Sequence, residues 1–547
     1  MLEGKRRMAA VVAMVLCTSC SGPGGGTAPQ STSTAGIVAR LASHCTDVVS
    51  DDLGEGTLCV DSGFRTDVDQ FPFANWGRSP QADMNVTVQT LVDLFGHSAV
   101  CMPGPQTACI LRPRTMQKLD EWNVALGGGR CEGIATLSER MHLRYETADE
   151  YSAGANSPSQ LERSNTRLAQ SIVYWWATQF VPEVARPAAE SRRKSPLRLV
   201  DDLIRGLANG AGHTVGLYFA GTGHSVTPFA VTRRGDDFVI HAYDNNQPGI
   251  RAEIVVSGTT DTWSFRPGTS GGDAAAEWRG GTGTLELTPM AARQGPFTCP
   301  FCNDPTPNEA TTVTVANQAD APPNRVMIDA GDAGTIEETE SGFVIGITGA
   351  TVEHAKAGTT SAVTITIPPS VSSLAVELRH VREQETESVV TVRRPGMADI
   401  QVRNARSTAL VGAAKVTAPL LTVTPRSTTV SARVNDTVVS LAGATNLASV
   451  TVARNDSLVV TPVDVDTIEV SYKGTAGSST VNLPLRPSGA VTTELVMSKG
   501  HIDSRQRPTT EQSVGPARTT RSSPLPPATS TTATPTTVPT IEVTLPD

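Results

Sequence analysis

Aromatic residues are scarce in this 547-residue chain, at 4%, and the scarcity is uneven. All six Trp lie between Trp76 and Trp278, and beyond Phe301 the only Phe or Tyr residues are Phe343 and Tyr472. Cysteine stops at Cys302. After the N-terminus no stretch holds 18 consecutive apolar residues, too few for a helix of the ~20 residues that cross a bilayer. Positive charge is not in excess either. Lys and Arg number 45 against 54 Asp and Glu, a net charge of −9, so the basic footprint of a nucleic-acid-binding surface is absent and no such partner is expected. With 47 Gly, 37 Pro and 18% charged residues the composition also excludes a coiled coil. What remains divides in three: an aromatic, cysteine-bearing part over 37–303, a Val/Thr-rich part over 304–495, and a polar tail over 496–547.

The first residues read as an address. Lys5-Arg6-Arg7 is a positive start, Met8 to Cys17 a short apolar core, and Leu16-Cys17-Thr18-Ser19-Cys20 leads into Ser21-Gly22-Pro23 and three further glycines. Small residues before a cysteine, then a flexible polar stretch, resemble a bacterial lipoprotein signal over 1–20. That resemblance implies lipidation of Cys20 and attachment to the outer face of the cell membrane. Cys17 stands where that family usually has an aliphatic residue, and an ordinary secretory signal cut nearby is the other reading. Residues 21–36 read as a flexible tether.

Export permits disulfides. With Cys17 removed and Cys20 lipidated, seven cysteines are left, and three local pairs suggest themselves: Cys45–Cys59, Cys101–Cys109 and Cys299–Cys302. Connectivity is not fixed by sequence, but an odd count leaves one thiol over, and Cys131 is the one without a near neighbour. It follows Gly127-Gly128-Gly129-Arg130 and precedes Ile134, Leu137, Met141 and Tyr145 at helical spacing, so it sits where a glycine loop becomes a helix. Glycines let another backbone approach closely. A helix start favours a thiolate and offers N–H groups to a developing oxyanion.

A thiol nucleophile needs a base. Gly223 to Val231 reads as a strand, Arg233 to Asp237 as a turn, and Phe238 to Tyr243 as a second strand ending in Asp244-Asn245-Asn246. A hairpin folded about residue 234 sets His224 opposite Asp244; a one-residue change of turn brings Asn245 there instead. Imidazole plus carboxylate or amide is a base with its orienter.

Glycine-led Cys131, then Gly223-His224 on a strand, then Tyr243-Asp244-Asn245 after the next, resemble the papain-like cysteine peptidase superfamily, nearest to bacterial peptidases of the bacteriocin-processing kind. The resemblance covers roughly 60–290 and implies an α+β, two-lobed fold, with Cys131 as nucleophile, His224 as base and acid, and Asp244 (alternative Asn245) as orienter. It implies no cofactor and no metal, and a peptide, protein or cell-wall substrate. The family's oxyanion Gln, six residues before the Cys, is Ala125 here; Gln117 and Asn123 are the nearest amides. A competing alignment to papain-related cell-wall endopeptidases makes His213, in Gly212-His213-Thr214-Val215-Gly216, the base and His241 a third member.

Other features read as structural. Phe71-Pro72-Phe73-Ala74-Asn75-Trp76 reads as core packing, Ser164 to Pro182 as a helix that packs Trp175 and Trp176, and 190–198 as a solvated basic loop. Cys299-Pro300-Phe301-Cys302 resembles a redox pair, but Asn303-Asp304-Pro305 does not start a helix, so it reads as a disulfide at the domain edge. Residues 304–495 alternate Val, Ile and Thr with polar residues, as in Val363-Thr364-Ile365-Thr366-Ile367, and predict an all-β sandwich or stack with a thin core and no chemistry. The Ser/Thr/Pro-rich tail, 496–547, predicts disorder. The two functions in view are an exported cysteine hydrolase and a non-catalytic binding protein of the same fold.

Overall fold

The computed structural model describes residues 33–46, 53–54, 56–266, 277–303, 309–317, 325–339, 342–356, 362–379, 388–403, 420–432, 437–475, 477–487, 489–498, 501–521 and 523–524. The signal 1–20, Cys20 and most of the tether lie outside these residues; the tether's last residues, 34–36, already belong to a helix.

The first region carries α1 (Thr34–Ala42), α2 (Val88–Phe95), α3 (His97–Val100), α4 (Pro113–Ala125), α5 (Cys131–His142), α6 (Thr166–Ala177), α7 (Pro182–Arg192) and α8 (Pro196–Ala208). Its strands are β1 (Thr57–Asp61), β2 (Ala108–Cys109), β3 (His213–Phe219), β4 (Thr222–Arg234), β5 (Asp237–Tyr243), β6 (Arg251–Val256), β7 (Trp263–Phe265), β8 (Trp278–Gly280) and β9 (Leu285–Pro289). Local chemistry sets the helix starts. Thr87 and Thr90 bond reciprocally at the start of α2, and the Asn165 side chain accepts from Leu168 N at α6. Tyr145, expected to continue α5, lies beyond its end, where Arg144 turns to φ 60°.

An antiparallel sheet, ordered β8-β7-β6-β5-β4-β3-β9 with β1 also on β4, separates two helical layers. Alternation along the strands explains this. Val215, Leu217 and Val226 point to the apolar stripe of α8, made by Leu197, Val200, Ile204 and Leu207. Thr227, from the other face of β4, donates to Ala135 O of α5 at 3.1 Å. Helices α5 and α6 cross so closely that a Cβ on Gly133 would stand 1.9 Å from Ile172 O. Trp122, Trp175 and Trp176 fill the core on that side. Disulfides join Cys45–Cys59, Cys101–Cys109 and Cys299–Cys302, the chemistry of an exported protein.

The second region is all β. In chain order it holds β10 (Thr311–Asn317), β11 (Arg325–Asp329), β12 (Thr335–Thr339), β13 (Gly342–Ile345), β14 (Thr351–His354), β15 (Ala362–Ile367), β16 (Leu374–Arg379), β17 (Ser388–Arg393) and β18 (Asp399–Arg403). It continues with β19 (Leu421–Val423), β20 (Thr428–Ser431), β21 (Thr437–Ala442), β22 (Asn446–Val452), β23 (Ser457–Pro462), β24 (Thr467–Gly474), β25 (Gly477–Pro484), β26 (Val491–Ser498) and β27 (His501–Pro508). Successive hairpins are dealt alternately to two nine-stranded sheets, β14-β15-β10-β17-β18-β21-β22-β26-β27 and β13-β12-β11-β16-β19-β20-β23-β24-β25. The result is one continuous two-layer stack. Its core is not thin: Val313, Ile328, Ile365, Val376, Val439 and Val470 are all fully buried, because β-branched side chains from both sheets interdigitate without needing aromatic bulk.

The expected disorder from 496 onward is corrected as far as 521. Strands β26 and β27 close one sheet, and β28 (Gln512–Ser513) pairs with β2 of the first region. Arg518 then donates to Glu146 Oε2 at 2.7 Å and to Ser171 Oγ at 2.7 Å. Glu146, nearly buried, also accepts from Arg140 Nε at 2.8 Å, from Trp175 Nε1 at 3.0 Å and from the Tyr151 hydroxyl. Ser/Thr/Pro bias hid the one arginine that a buried carboxylate needs. Burial would raise the Glu146 pKa, but Arg518 and Arg140 outweigh it and hold it below the ordinary value. We therefore expect Arg518→Ala to cost about 1–3 kcal/mol in denaturant unfolding at pH 7, less than a fully severed buried pair because Arg140 remains. The loss should shrink as pH falls from the ordinary Glu value of about 4.3 through the lowered folded value, below which the carboxylate is protonated in both states.

Candidate active site

The loop before α5 is pinned in place. Gly129 adopts φ 135°, and a Cβ there would meet the Asn75 side chain at 2.6 Å. Asn75 Oδ1 accepts from Arg130 N at 2.8 Å. The buried Arg130 guanidinium donates to Gly77 O at 2.7 Å and Met84 O at 2.9 Å, and lies 4.2 Å from the Trp76 ring centre. The Phe71–Trp76 segment thus packs in the core and also positions the loop. Cys131, the first residue of α5, follows directly; it is fully buried and is the only free cysteine among the described residues. Its helix N-terminus carries backbone N–H groups without intrahelical acceptors.

His224 lies on β4 and its Nε2 is 2.7 Å from Asp244 Oδ1, both side chains buried. Asn246 N donates to the same oxygen at 2.9 Å. The expected register is corrected. The hairpin turns at Gly235-Asp236, between Arg234 and Asp237, and a bulge at Phe229 shifts the pairing so that Thr227 faces Tyr243. Asp244 is one residue past the paired strand and reaches the ring with its side chain, not by standing opposite it. Asn245 does not orient the ring: its Nδ2 donates to Cys131 O at 3.1 Å and Ser225 O at 2.8 Å, tying the helix start to β4.

Burial is the largest influence on His224 and would lower its pKa. The Asp244 charge and hydrogen bond, with Cys131 adding to them, override it and raise the imidazole to about 10. For Asp244, burial raises the pKa and the His224 charge lowers it further, so the carboxylate stays ionised. Nδ1 of His224 has no hydrogen-bond partner among the described residues. A ring held through Nε2 and kept protonated, with a thiol near its other nitrogen, is arranged to hold a proton beside that sulfur.

The remaining predicted residues lie elsewhere. His213 Nδ1 bonds Ala211 O at 3.1 Å, and its ring rests on Gly206. His241 Nε2 bonds Thr232 Oγ1 at 2.9 Å, and burial pushes it down to about 4. Neither joins the thiol. Gln117 Nε2 donates to Asp399 O and Ser440 O of the β stack. Asn123 Nδ2 donates to Val86 O and Leu119 O. Both amides are spent on structure, which corrects their assignment as oxyanion donors. His97, Cys101 and Cys109 are close enough to suggest a metal, but the sulfurs form a disulfide and His97 Nε2 bonds Ala108 O at 2.8 Å.

Sequence reasoning missed a residue that touches the thiol. Lys356, just after β14, places its carbonyl oxygen 3.6 Å from Cys131 Sγ, which donates to it. Its N–H donates to Gln179 Oε1 at 2.6 Å. Its ammonium lies 2.5 Å from Glu286 Oε1, 3.2 Å from Glu132 Oε1 and 3.4 Å from Thr288 Oγ1. Glu286 Oε2 accepts from Arg192 and from the Tyr218 hydroxyl at 2.8 Å, and Glu132 pairs with Arg293. Arg192 is therefore no solvated loop residue. A neighbouring cavity of about 320 Å³ between the two regions touches Trp122, Tyr218, Glu286 and Lys356, but Cys131 and His224 are not on its wall.

No protein-family model matches this sequence, and no curated protein or solved structure shows significant similarity to it.

Replacing Asp244 tests the electrostatics. In Asp244→Asn the burial penalty on His224 is unopposed by a carboxylate, so its ring should titrate below the ordinary value of about 6.5. Ring-proton NMR should show this against a wild-type ring still protonated at pH 8. Because the folded pKa is raised, the pair's stabilisation is complete below about pH 6.5 and fades as pH rises through about 10. Rings titrating alike in both proteins would contradict this account.

Proposed function

We propose that this protein is an exported, lipid-anchored cysteine hydrolase of papain-like type that cleaves a peptide or amide bond. On this reading the helices around α5 and the sheet around β4 are its two lobes, Cys131 is the nucleophile, His224 the base and acid, Asp244 the orienter, and Cys20 the lipidated residue. The observation that carries it is the buried His224–Asp244 pair at 2.7 Å, with the ring's other nitrogen unbonded and the Cys131 thiol close enough to raise its pKa.

The chemistry follows from these groups. The proton that the sulfur must shed resides on Nδ1, so the reacting pair is thiolate and imidazolium. The thiolate attacks the substrate carbonyl carbon, and the oxygen's developing charge meets N–H groups at the start of α5, the Cys131 N–H foremost. The C–N bond then breaks as the imidazolium protonates the leaving amine. Water, deprotonated by the neutral ring, attacks the thioester carbonyl and releases acid and thiol. The raised imidazole pKa keeps that proton on the ring at neutral pH.

A second reading, a binding protein with no turnover, is favoured by one observation: Cys131 is fully buried, with its thiol against the Lys356 carbonyl.

Site-resolved alkylation by iodoacetamide separates the two. At pH 6 an ordinary thiol of pKa about 8.5 is under about 1% thiolate. Labelling of Cys131 in the wild type should exceed that in His224→Ala by roughly tenfold or more. Burial slows both proteins alike and cancels in the ratio. Equal rates would remove the hydrolase reading.

A further inference from the structure

We infer that the acidic pocket of Glu286 and Glu132 next to Cys131 takes a peptide with a basic residue immediately before the attacked bond, and that Lys356 of this chain occupies that place as a built-in competitor. This rests on the hydrolase reading, which fixes where an attacked carbonyl must sit.

Lys356 presents three groups of such a residue: a carbonyl, an N–H and a cationic side chain. Its carbonyl is at the thiol, its N–H is held by the Gln179 side chain, and its ammonium enters a buried acidic pocket. Two glycines make room for it. A Cβ on Gly216 would stand 3.1 Å from Lys356 Cδ and 3.2 Å from Glu286 Cβ, and one on Gly223 would stand 2.7 Å from Ala355 O. Neither glycine has a positive φ, so their bareness serves close approach and not backbone shape. They lie on facing strands, with Gly216 opposite Ser225 and Tyr218 opposite Gly223, and Glu286 of β9 sits beside Gly216. The result is a trough floored by glycine with a carboxylate at its side.

The charges show what the pocket selects. Arg192 and Tyr218 satisfy Glu286 Oε2, and Arg293 pairs with Glu132. Glu286 Oε1 has the Lys356 ammonium and, on its other side, the Thr288 hydroxyl at 2.8 Å. An apolar side chain in place of Lys356 leaves that buried oxygen without its cation, and an acidic one sets like charges together. A free peptide ending in a basic residue restores the pairing.

The test uses the full-length protein and a variant in which residues 356–361 are replaced by Asn-Gly, a two-residue link suited to the β14–β15 hairpin. The probes are acetyl-Ala-Lys, acetyl-Ala-Leu and acetyl-Ala-Glu chloromethyl ketones. Each alkylates a thiolate by forming an S–C bond and expelling chloride, so no turnover is needed. Rates at Cys131 are read by mass spectrometry and divided by the iodoacetamide rate of the same protein. The shortened loop should raise iodoacetamide labelling at least tenfold, and the Lys probe should then outpace the Leu and Glu probes at least tenfold. Glu286→Gln in the shortened chain should reduce that preference to threefold or less; Glu132→Gln provides the same reading if the first variant fails to fold. Unchanged iodoacetamide labelling, or equal rates for the three probes, would overturn the inference. Adding His224→Ala to the shortened chain keeps the failures apart: it slows every probe together if the thiolate reading holds, and leaves the probe ratios to report on the pocket alone.

Discussion

A carboxylate shut away from water has to be met by cations, and Glu286 draws them from far along the chain. Arg192 arrives from the end of α7, and Lys356 from the β stack, both onto a residue of β9 that is itself fully buried. Left unpaired, such a charge costs several kcal/mol, so each partner is obligatory once the strand is folded. Burial would raise the Glu286 pKa, and Lys356 and Arg192 more than reverse this, holding it far below the usual carboxylate range. Glu146 repeats the pattern with Arg140 and Arg518, bringing the end of the described chain back onto α6. Asp399 of β18 lies 2.9 Å from Arg114 of α4 across the regions, although there burial outweighs the cations and raises the carboxyl's pKa. The two regions and the C-terminal segment are thus joined by buried ion pairs, whose geometry is far more exacting than that of an apolar contact.

The same physics operates at the thiol on a smaller scale. His224 and Asp244 are individually unfavourable in a dry site and mutually sufficient. The pair shapes the behaviour of its neighbours: the ring is kept charged, one nitrogen is committed to the carboxylate, and the other is left to face Cys131. Asn245 and Asn75 contribute by holding backbone. The first bonds the Cys131 carbonyl; the second receives the Arg130 N–H and donates its own N–H to Asn245 O at 2.7 Å. Hairpin end, glycine loop and helix start are therefore locked as one unit, which is what a reactive geometry needs.

Much of this was legible locally. Cysteine parity singled out Cys131, and the glycine run with apolar spacing placed it at a helix start. Two strand patterns with a polar turn between them brought His224 near Asp244, although the bulge at Phe229 altered the register by which they meet. Strands up to about residue 495 were legible from alternation, but their assembly into one stack was not, because pairing such as β20 with β23 is decided by distant partners. Side-chain amides were the weakest evidence: Gln117 and Asn123 have the right chemistry, and tertiary contacts with Asp399 O and Val86 O claim them. Lys356 was invisible for the same reason. It stands 225 residues from Cys131, in a segment whose composition suggests only strands.

Where the occupant is attached matters as much as what it touches. Strand β14 has four residues, lies at the edge of its sheet and pairs with β15 alone. Edge strands with one neighbour open locally at a fraction of the global unfolding cost. The competitor is thus carried on an edge strand of the stack, and the ion pairs of Lys356 help to hold it in. A tethered ligand acts at an effective concentration of order mM. A free peptide making only the same contacts loses to it at any lower concentration. Access therefore depends on a substrate that adds contacts beyond the basic residue, or on a partner that draws the β14 edge away. In either case the contacts that close the site are those that the substrate must reproduce, so tighter closure and stricter selection are one property.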